Sequence, residues 1–142
     1  LYRGSLYASM GKFSAAVVQL EKAILLNPKQ PAARLTLAAV YADIKQWEKS
    51  RILYLSVAKS NPQIYQSFLG LGAVYEGESR YLDAVKAYQK VITMRGGSAR
   101  AYTGVARSFL ALGQENEANR ALEAALKIDP DYPAALKILR SK

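Results

Sequence analysis

Helix-breaking residues recur along this chain of 142 residues at a spacing of 34 positions. Pro28 and Pro62 are one period apart, Gly96 stands one period later, and Pro130 one period later again. Proline ends a helix by removing a backbone donor and clashing with the preceding turn, whereas glycine ends one by adopting a left-handed conformation. A fixed period of this length predicts a row of equal structural units rather than one irregular globule.

Each period contains a second break about halfway along its length. These breaks fall at Met10–Lys12, Ile44–Gln46, Gly77–Ser79 and Leu112–Gln114. Each unit therefore contains two helices. Aromatic residues share one phase of the first helix: Tyr7, Tyr41, Tyr75 and Phe109. Small residues share one phase of the second helix, and a large residue follows four positions later: Ala16 and Leu20, Ser50 and Tyr54, Ala84 and Tyr88, Ala118 and Leu122. The small residues let two helices approach closely, and the large ones fill the space beside them.

The chemistry of the side chains excludes several classes of protein. Histidine and cysteine are both absent, which excludes disulfides, Cys/His metal sites and imidazole-based catalytic triads. No acid/base pair is visible either. The glycines of Gly70-Leu71-Gly72 have the spacing of close helix packing, so they do not indicate a phosphate-binding loop. We therefore predict no catalytic residue, no metal and no cofactor, and the chain is not expected to be an enzyme.

The sequence contains no apolar run of the roughly 18 residues that a membrane helix needs, and no signal peptide is visible. It begins at Leu1 rather than Met, which we interpret as a fragment of a larger protein. The compartment therefore stays unassigned.

The phased residues resemble the tetratricopeptide repeat, a 34-residue pair of helices. The best match is formed by Phe68, Leu71, Gly72, Tyr75, Ala84, Tyr88 and Val91. The resemblance implies an all-α fold, a right-handed α-solenoid of antiparallel helix pairs with four repeats, the first truncated, and a C-terminal capping helix. The whole chain is then a single solenoid domain with repeats near 1–30, 31–64, 65–98 and 99–132 and a terminal helix at 133–142. The helices are expected at 1–10, 14–26, 31–44, 48–60, 63–78, 82–94, 98–112, 115–127 and 133–141.

In proteins of this family the first helix of each pair lines a concave groove. By phase, the groove would be formed by Leu35, Thr36, Ala39, Asp43, Gln66, Leu69, Ala73, Glu76, Arg100, Thr103 and Arg107. Its floor is small and apolar, at Gly70 and Gly104 among others, and Ser5 and Ala8 would extend it into the first repeat. The resemblance thus implies a non-catalytic scaffold that binds a peptide or helical segment of a partner protein. Arg100 and Arg107 would pair with acidic groups of that partner.

Some relatives bind carboxyl-terminal tails of chaperones through a clamp of Lys and Asn. The matching positions here are Leu35, Ala39, Gly70, Arg100 and Gly104, of which only Arg100 could serve, so we expect no clamp of that kind.

Two other functions stay open at this point. The net charge is +9, and the basic residues that fall in turns and on the second helices could bind nucleic acid or an anionic surface weakly: Lys22, Lys45, Lys49, Lys59, Lys86, Lys90, Arg120 and Lys127. Specific reading of nucleic acid is not expected, because the inward positions are mostly Ala, Gly and Leu. The chain could also self-associate through the open ends of the solenoid.

Overall fold

A computed structural model describes residues 2–96 and 98–141, with side chains described from residue 14 onward. Over these residues the chain forms eight helices and no strand. They are α1 (Tyr2–Leu26), α2 (Pro31–Asp43), α3 (Trp47–Ser60), α4 (Tyr65–Gly77), α5 (Tyr81–Arg95), α6 (Ala99–Ala111), α7 (Glu115–Ile128) and α8 (Pro133–Arg140). From α2 onward the bounds agree with the sequence prediction to within about two residues.

The first repeat departs from the prediction. Two helices were expected over 1–10 and 14–26, but α1 runs unbroken from Tyr2 to Leu26, so the expected break at Met10–Lys12 is wrong. Glycine weakens a helix without ending it, and Gly11 lies inside α1.

The turn inside each of the later repeats is built in the same way. Lys45, Ser79 and Gly113 each take a positive φ, between 59° and 78°. The next residue then donates its N–H to the carbonyl of the phased aromatic residue, as Gln46 does to Tyr41 at 2.8 Å and Arg80 to Tyr75 at 2.7 Å. This is the left-handed helix ending that satisfies the last carbonyls of a helix. The three turns are spaced by one repeat, so the backbone follows the period of the sequence.

The chain divides into two compact units, Leu1–Pro62 and Gln63–Lys142. In the first, α2 packs between α1 and α3. The core of this unit is where α2 meets α3: Leu37, Ala38, Ser50, Tyr54 and Val57 are buried. The Ser50 hydroxyl donates to the Ala38 carbonyl at 2.7 Å, which satisfies a polar group with no exposed surface.

The second unit contains α4 to α8, with α6 packed against both α5 and α7. Its core includes buried residues of α5, α6 and α7: Ala84, Tyr88 and Val91; Ala101, Val105 and Ala106; Leu122 and Ala125. The terminal helix α8 contacts α6 and α7. Ala135 is fully buried there and Ile138 packs against the core, so α8 covers the last repeat as the sequence predicted.

Candidate partner-binding surface

The ring of Tyr88, on α5, lies between two glycines of the neighbouring first helices. A Cβ atom added to Gly72 on α4 would lie 2.5 Å from the ring, and one added to Gly104 on α6 would lie 2.4 Å from it. Real Cβ atoms do not approach other atoms so closely, so only glycine lets both helices reach the ring. Gly104 is therefore covered by Tyr88 and buried; the expectation that it forms open groove floor is wrong.

The hydroxyl of Tyr88 extends from between the glycines to Glu76, near the end of α4. It donates to Oε2 of Glu76 at 2.6 Å. Arg107 on α6 donates to the same carboxylate from Nε at 3.0 Å and from Nη2 at 3.1 Å. Paired bonds of this geometry are the strongest kind between arginine and a carboxylate. We call Glu76, Tyr88 and Arg107 the clasp, because they join three consecutive helices.

The clasp changes the titration of its members. Burial raises the pKa of the Tyr88 phenol, and the neighbouring Glu76 carboxylate raises it further, so Tyr88 stays neutral well above its ordinary range. Burial alone would lower the pKa of the Arg107 guanidinium, but the hydrogen bonds and charge of Glu76 outweigh burial and raise it. Both groups therefore keep the protonation states that their hydrogen bonds to Glu76 require.

Glu76 and Arg107 were predicted to face a partner. The Glu76 side chain is only 17% exposed, whereas that of Arg107 is 43% exposed. The two side chains form an ion pair with each other. The positive charge of Arg107, which the sequence analysis assigned to an acidic group of a partner, is therefore already balanced by Glu76. Spacing along the chain could not reveal this, since 31 residues separate the two.

The remaining predicted residues of the second unit divide by exposure. Gln66 and Arg100 are exposed, and Leu69 and Ala73 are half-buried. Thr103 is fully buried, and its hydroxyl donates to the Ala99 carbonyl at 2.7 Å; it therefore has no surface to offer a partner.

In the first unit the predicted residues lie along α2. Thr36, Ala39 and Asp43 are exposed and Leu35 is half-buried. The Thr36 hydroxyl donates to the Ala32 carbonyl at 3.0 Å, which leaves its oxygen free to accept. Ser5 and Ala8 lie outside the residues whose side chains are described.

Arg100 differs from Arg107 in having no partner among the described residues. It stands at the second position of α6, exposed to solvent. Since α4 and α6 are in contact, Gln66, Leu69, Ala73 and Arg100 belong to two neighbouring helices. We call these four residues the α4–α6 surface. It combines a small apolar area with one uncompensated positive charge.

The basic residues of the later helices are exposed as expected, but several are engaged with aromatic rings. Three cationic groups lie over rings of α4, with distances measured to the ring centroid. On α5, Lys90 lies 5.9 Å from Phe68 and Arg95 lies 4.3 Å from Tyr65. Just before α5, Arg80 lies 4.9 Å from Tyr75. Cation–π contacts of this kind stabilise packing modestly at exposed sites. These three contacts follow the antiparallel course of α4 and α5, and the sequence analysis missed them.

The first unit contains a separate apolar concavity of about 480 Å³ between α1, α2 and α3. Ile24, Leu25, Ile52 and Leu53 line it, with the Tyr41 ring among them. The Tyr41 hydroxyl donates to Glu21 at 3.3 Å. Burial, followed by the charge and hydrogen bond of Glu21, raises the pKa of this phenol.

Two further searches cover only the part of the chain that the structure describes. No group of three acidic residues there is arranged to hold a metal ion. None of the helices there has the length and apolar character needed to cross a bilayer.

Paired helices of one repeating length, joined by a recurring left-handed turn, define a helix-repeat protein. The tetratricopeptide repeat model matches residues 7–71 and 76–142, and the chain belongs to that family. The expected all-α class of the α-solenoid type is thereby confirmed.

Individual proteins support the same assignment. The small glutamine-rich tetratricopeptide repeat-containing protein 2 of Mycosarcoma maydis is 28% identical over 116 residues, which are 82% of this chain and 33% of that protein. A crystal structure of MamA superposes with a TM-score of 0.82 at 20% identity, covering 93% of this chain and 77% of that one. A thermophilic TPR protein of Thermus thermophilus superposes with a TM-score of 0.76 at 18% identity, covering 95% of this chain and 75% of that one. At these identities the two structures show the fold alone, and the chain spans only a third of the fungal relative's length.

Proposed function

We propose that this chain is a non-catalytic scaffold that binds a segment of a partner protein on its first helices. The α4–α6 surface would be the main contact in the second unit. The stripe of α2 formed by the half-buried Leu35 and the exposed Thr36, Ala39 and Asp43 would be a further contact in the first unit. Membership of a repeat family whose members generally serve as interaction scaffolds supports the class of function.

The observation that carries the proposal is the exposed Arg100, unpaired among the described residues, on a helix that contacts α4, the helix of Leu69 and Ala73. An exposed cation with no acidic neighbour costs little in the free chain and can bind an anionic group without first breaking an internal pair. Leu69 and Ala73, both half-buried on α4, would provide the apolar contact area. Small side chains leave room for a helix or an extended segment of the partner.

Arg107 plays a different part in this proposal. Its charge is balanced by Glu76, so a partner's carboxylate would have to compete with two bonds of 3.0 and 3.1 Å. We therefore assign recognition of an acidic group to Arg100 alone. The clasp would instead hold α4 and α6 in a fixed relation, so that the surface is already formed before a partner binds.

The test is a comparison of bait proteins in a lysate of the source organism. Arg100→Glu reverses the free charge, and Ala73→Gln adds bulk to the apolar area without adding charge. Lys86→Glu is the matched control, because it makes the same charge change at an exposed position of α5. We expect a partner retained by the unchanged chain and by Lys86→Glu, and lost by the other two.

Circular dichroism must show the same helix content in all four baits. A partner that survives both Arg100→Glu and Ala73→Gln would contradict the proposed surface. A partner lost with Lys86→Glu, with binding that falls steeply as salt rises, would instead support the basic face as a site for nucleic acid or another polyanion.

A further inference from the structure

Arg34, on α2, stands at a position where the later repeats have an aromatic ring. Phe68 and Tyr102 occupy the same position one and two periods later, and both pack against the core of the second unit. Arg34 is likewise half-buried, and its side chain reaches α3. A ring at this position needs only apolar neighbours, whereas a guanidinium carries a positive charge and five N–H donors that require acceptors.

The acceptors that Arg34 finds on α3 are neutral. Its Nη1 donates to the Ser56 hydroxyl at 2.6 Å, and its Nη2 donates to the Ser60 hydroxyl at the longer distance of 3.4 Å. Its Nε is closed off from solvent and has no acceptor among the described residues. No acidic side chain in the described part of the chain is paired with Arg34. Its charge is therefore not balanced there.

The groups around this guanidinium add further donors. The Ser60 hydroxyl donates to the Ser56 carbonyl at 3.0 Å and accepts Nδ2 of Asn61 at 2.9 Å. The Ser56 hydroxyl accepts from Arg34 but donates to no described group. We call Arg34, Ser56, Ser60 and Asn61 the α2–α3 cluster. The cluster has unused N–H and O–H groups and a positive charge, but no negative charge.

We propose that the α2–α3 cluster binds a phosphate group, either as free inorganic phosphate or as a phosphomonoester. Hydrogen bonds in which both the donor and the acceptor are charged are stronger than those to neutral hydroxyls. Nη1 and Nη2 of Arg34 each have a second N–H that the serines do not use, and these two groups donate to two oxygens of the phosphate. The Ser56 hydroxyl donates to a third oxygen. The site belongs to the first unit and does not depend on the function proposed for the α4–α6 surface.

The arrangement of donors favours phosphate over a carboxylate. A carboxylate has two oxygens in one plane, and the paired donors of a guanidinium can satisfy both of them. The Ser56 hydroxyl would then remain without an acceptor. A phosphate group has three strong acceptor oxygens and nearly twice the charge. Phosphate can therefore use the guanidinium and the hydroxyl together.

An NMR titration of the whole chain tests the site. The probes are inorganic phosphate, acetate, and phosphoserine with its amino and carboxyl groups blocked, each at constant ionic strength so that general screening does not change. We expect saturable shifts of the backbone amide signals of Ser56, Ser60 and Asn61 with phosphate. Acetate should bind at least about tenfold more weakly. Tighter binding of the blocked phosphoserine identifies a phosphomonoester as the ligand, and binding of inorganic phosphate alone identifies the free ion.

Variants connect the shifts to the cluster. Arg34→Gln should lower the affinity for phosphate at least about tenfold, and Ser56→Ala should lower it several-fold. Arg100→Gln is the matched control, because it removes the same charge from an exposed arginine that has no hydroxyl partner among the described residues. Its affinity for phosphate should be unchanged. Should Arg34→Gln disturb folding, Arg34→Phe restores the ring that the later repeats have, and it should keep the helix content while losing phosphate.

Three results would overturn the proposal. The first is the absence of saturable shifts with either phosphate probe. The second is acetate binding as tightly as phosphate, which would make the cluster a site for any anion. The third is an equal loss of affinity in Arg34→Gln and Arg100→Gln, because the shifts would then report the net charge of the chain rather than the α2–α3 cluster.

Discussion

Glu76 and Arg107 are joined by two parallel hydrogen bonds of 3.0 and 3.1 Å between helices that lie in consecutive repeats. The carboxylate also accepts the Tyr88 hydroxyl at 2.6 Å. Three donors from two other helices thus converge on one side chain of α4. Such a junction fixes the register of α4, α5 and α6 in a way that apolar packing alone does not.

Removing the shared acceptor should therefore destabilise the second unit. Glu76→Ala leaves the Tyr88 hydroxyl without its acceptor in a largely buried position. We expect a loss of about 2 kcal/mol in the free energy of unfolding, reduced from a larger value because water can solvate the exposed side of Arg107. Urea denaturation followed by circular dichroism measures it. Glu123→Ala, an exposed glutamate on α7, is the control, and an equal loss in both would contradict the clasp.

The glycines beside Tyr88 should resist enlargement. Gly72→Ala and Gly104→Ala each gain helix propensity but force a methyl group against the ring. We expect a net loss of about 1–3 kcal/mol for each, the usual cost of overpacking. A double-mutant cycle with Tyr88→Leu checks the cause. If Gly72→Ala costs as much beside leucine as beside tyrosine, the ring is not what requires glycine.

The raised pKa of Tyr88 predicts how stability depends on alkaline pH. Below the ordinary pKa of tyrosine, about 10, the phenol is neutral in both states and its contribution is fully present. Above it the unfolded chain ionises while folded Tyr88 stays protonated, so the free energy of unfolding falls as pH rises. Urea titrations at about pH 9 and pH 11 measure this fall. It should be smaller in Tyr88→Phe, and an unchanged slope would argue against the raised pKa.

One helix start should be sensitive to a single hydroxyl. The Ser98 side chain accepts the N–H of Ala101 at 3.1 Å at the start of α6. Ser98→Ala should cost about 1 kcal/mol, the usual value of such a cap. Ser98→Asp keeps an acceptor and should restore most of the loss. Thermal unfolding of the three proteins distinguishes capping from a general effect at this position.

The repeat period predicted most of the fold because each repeat requires small and large side chains at the same positions where its helices pack. Small residues such as Ser50 and Ala84 are buried where the phase placed them, and Gly72 packs closely as its spacing indicated. These needs recur every 34 residues, so each copy strengthens the inference from the others. The first repeat follows the pattern less completely than the others. The sequence analysis expected two helices there and did not predict the continuous helix α1.

The candidate site was less accessible from the sequence. Phase placed Arg100 and Arg107 on one stripe of a helix but could not show that Glu76 already holds the second. That pairing depends on how far two helices approach, which the Tyr88 ring and its two glycines decide. Thr103 was assigned to the groove by the same phase and is buried instead. Periodicity gives the face of a helix, whereas exposure depends on the neighbour that packs there.

The clasp also limits how this chain can be taken apart and recombined. Repeat proteins are often treated as strings of interchangeable modules, yet a cut between α5 and α6 separates Glu76 and Tyr88 from Arg107. A module of residues 65–98 moved alone would carry a nearly buried carboxylate into a setting without its arginine. The segment that can be transplanted intact is therefore two repeats long, and any chimaera should inherit both or neither.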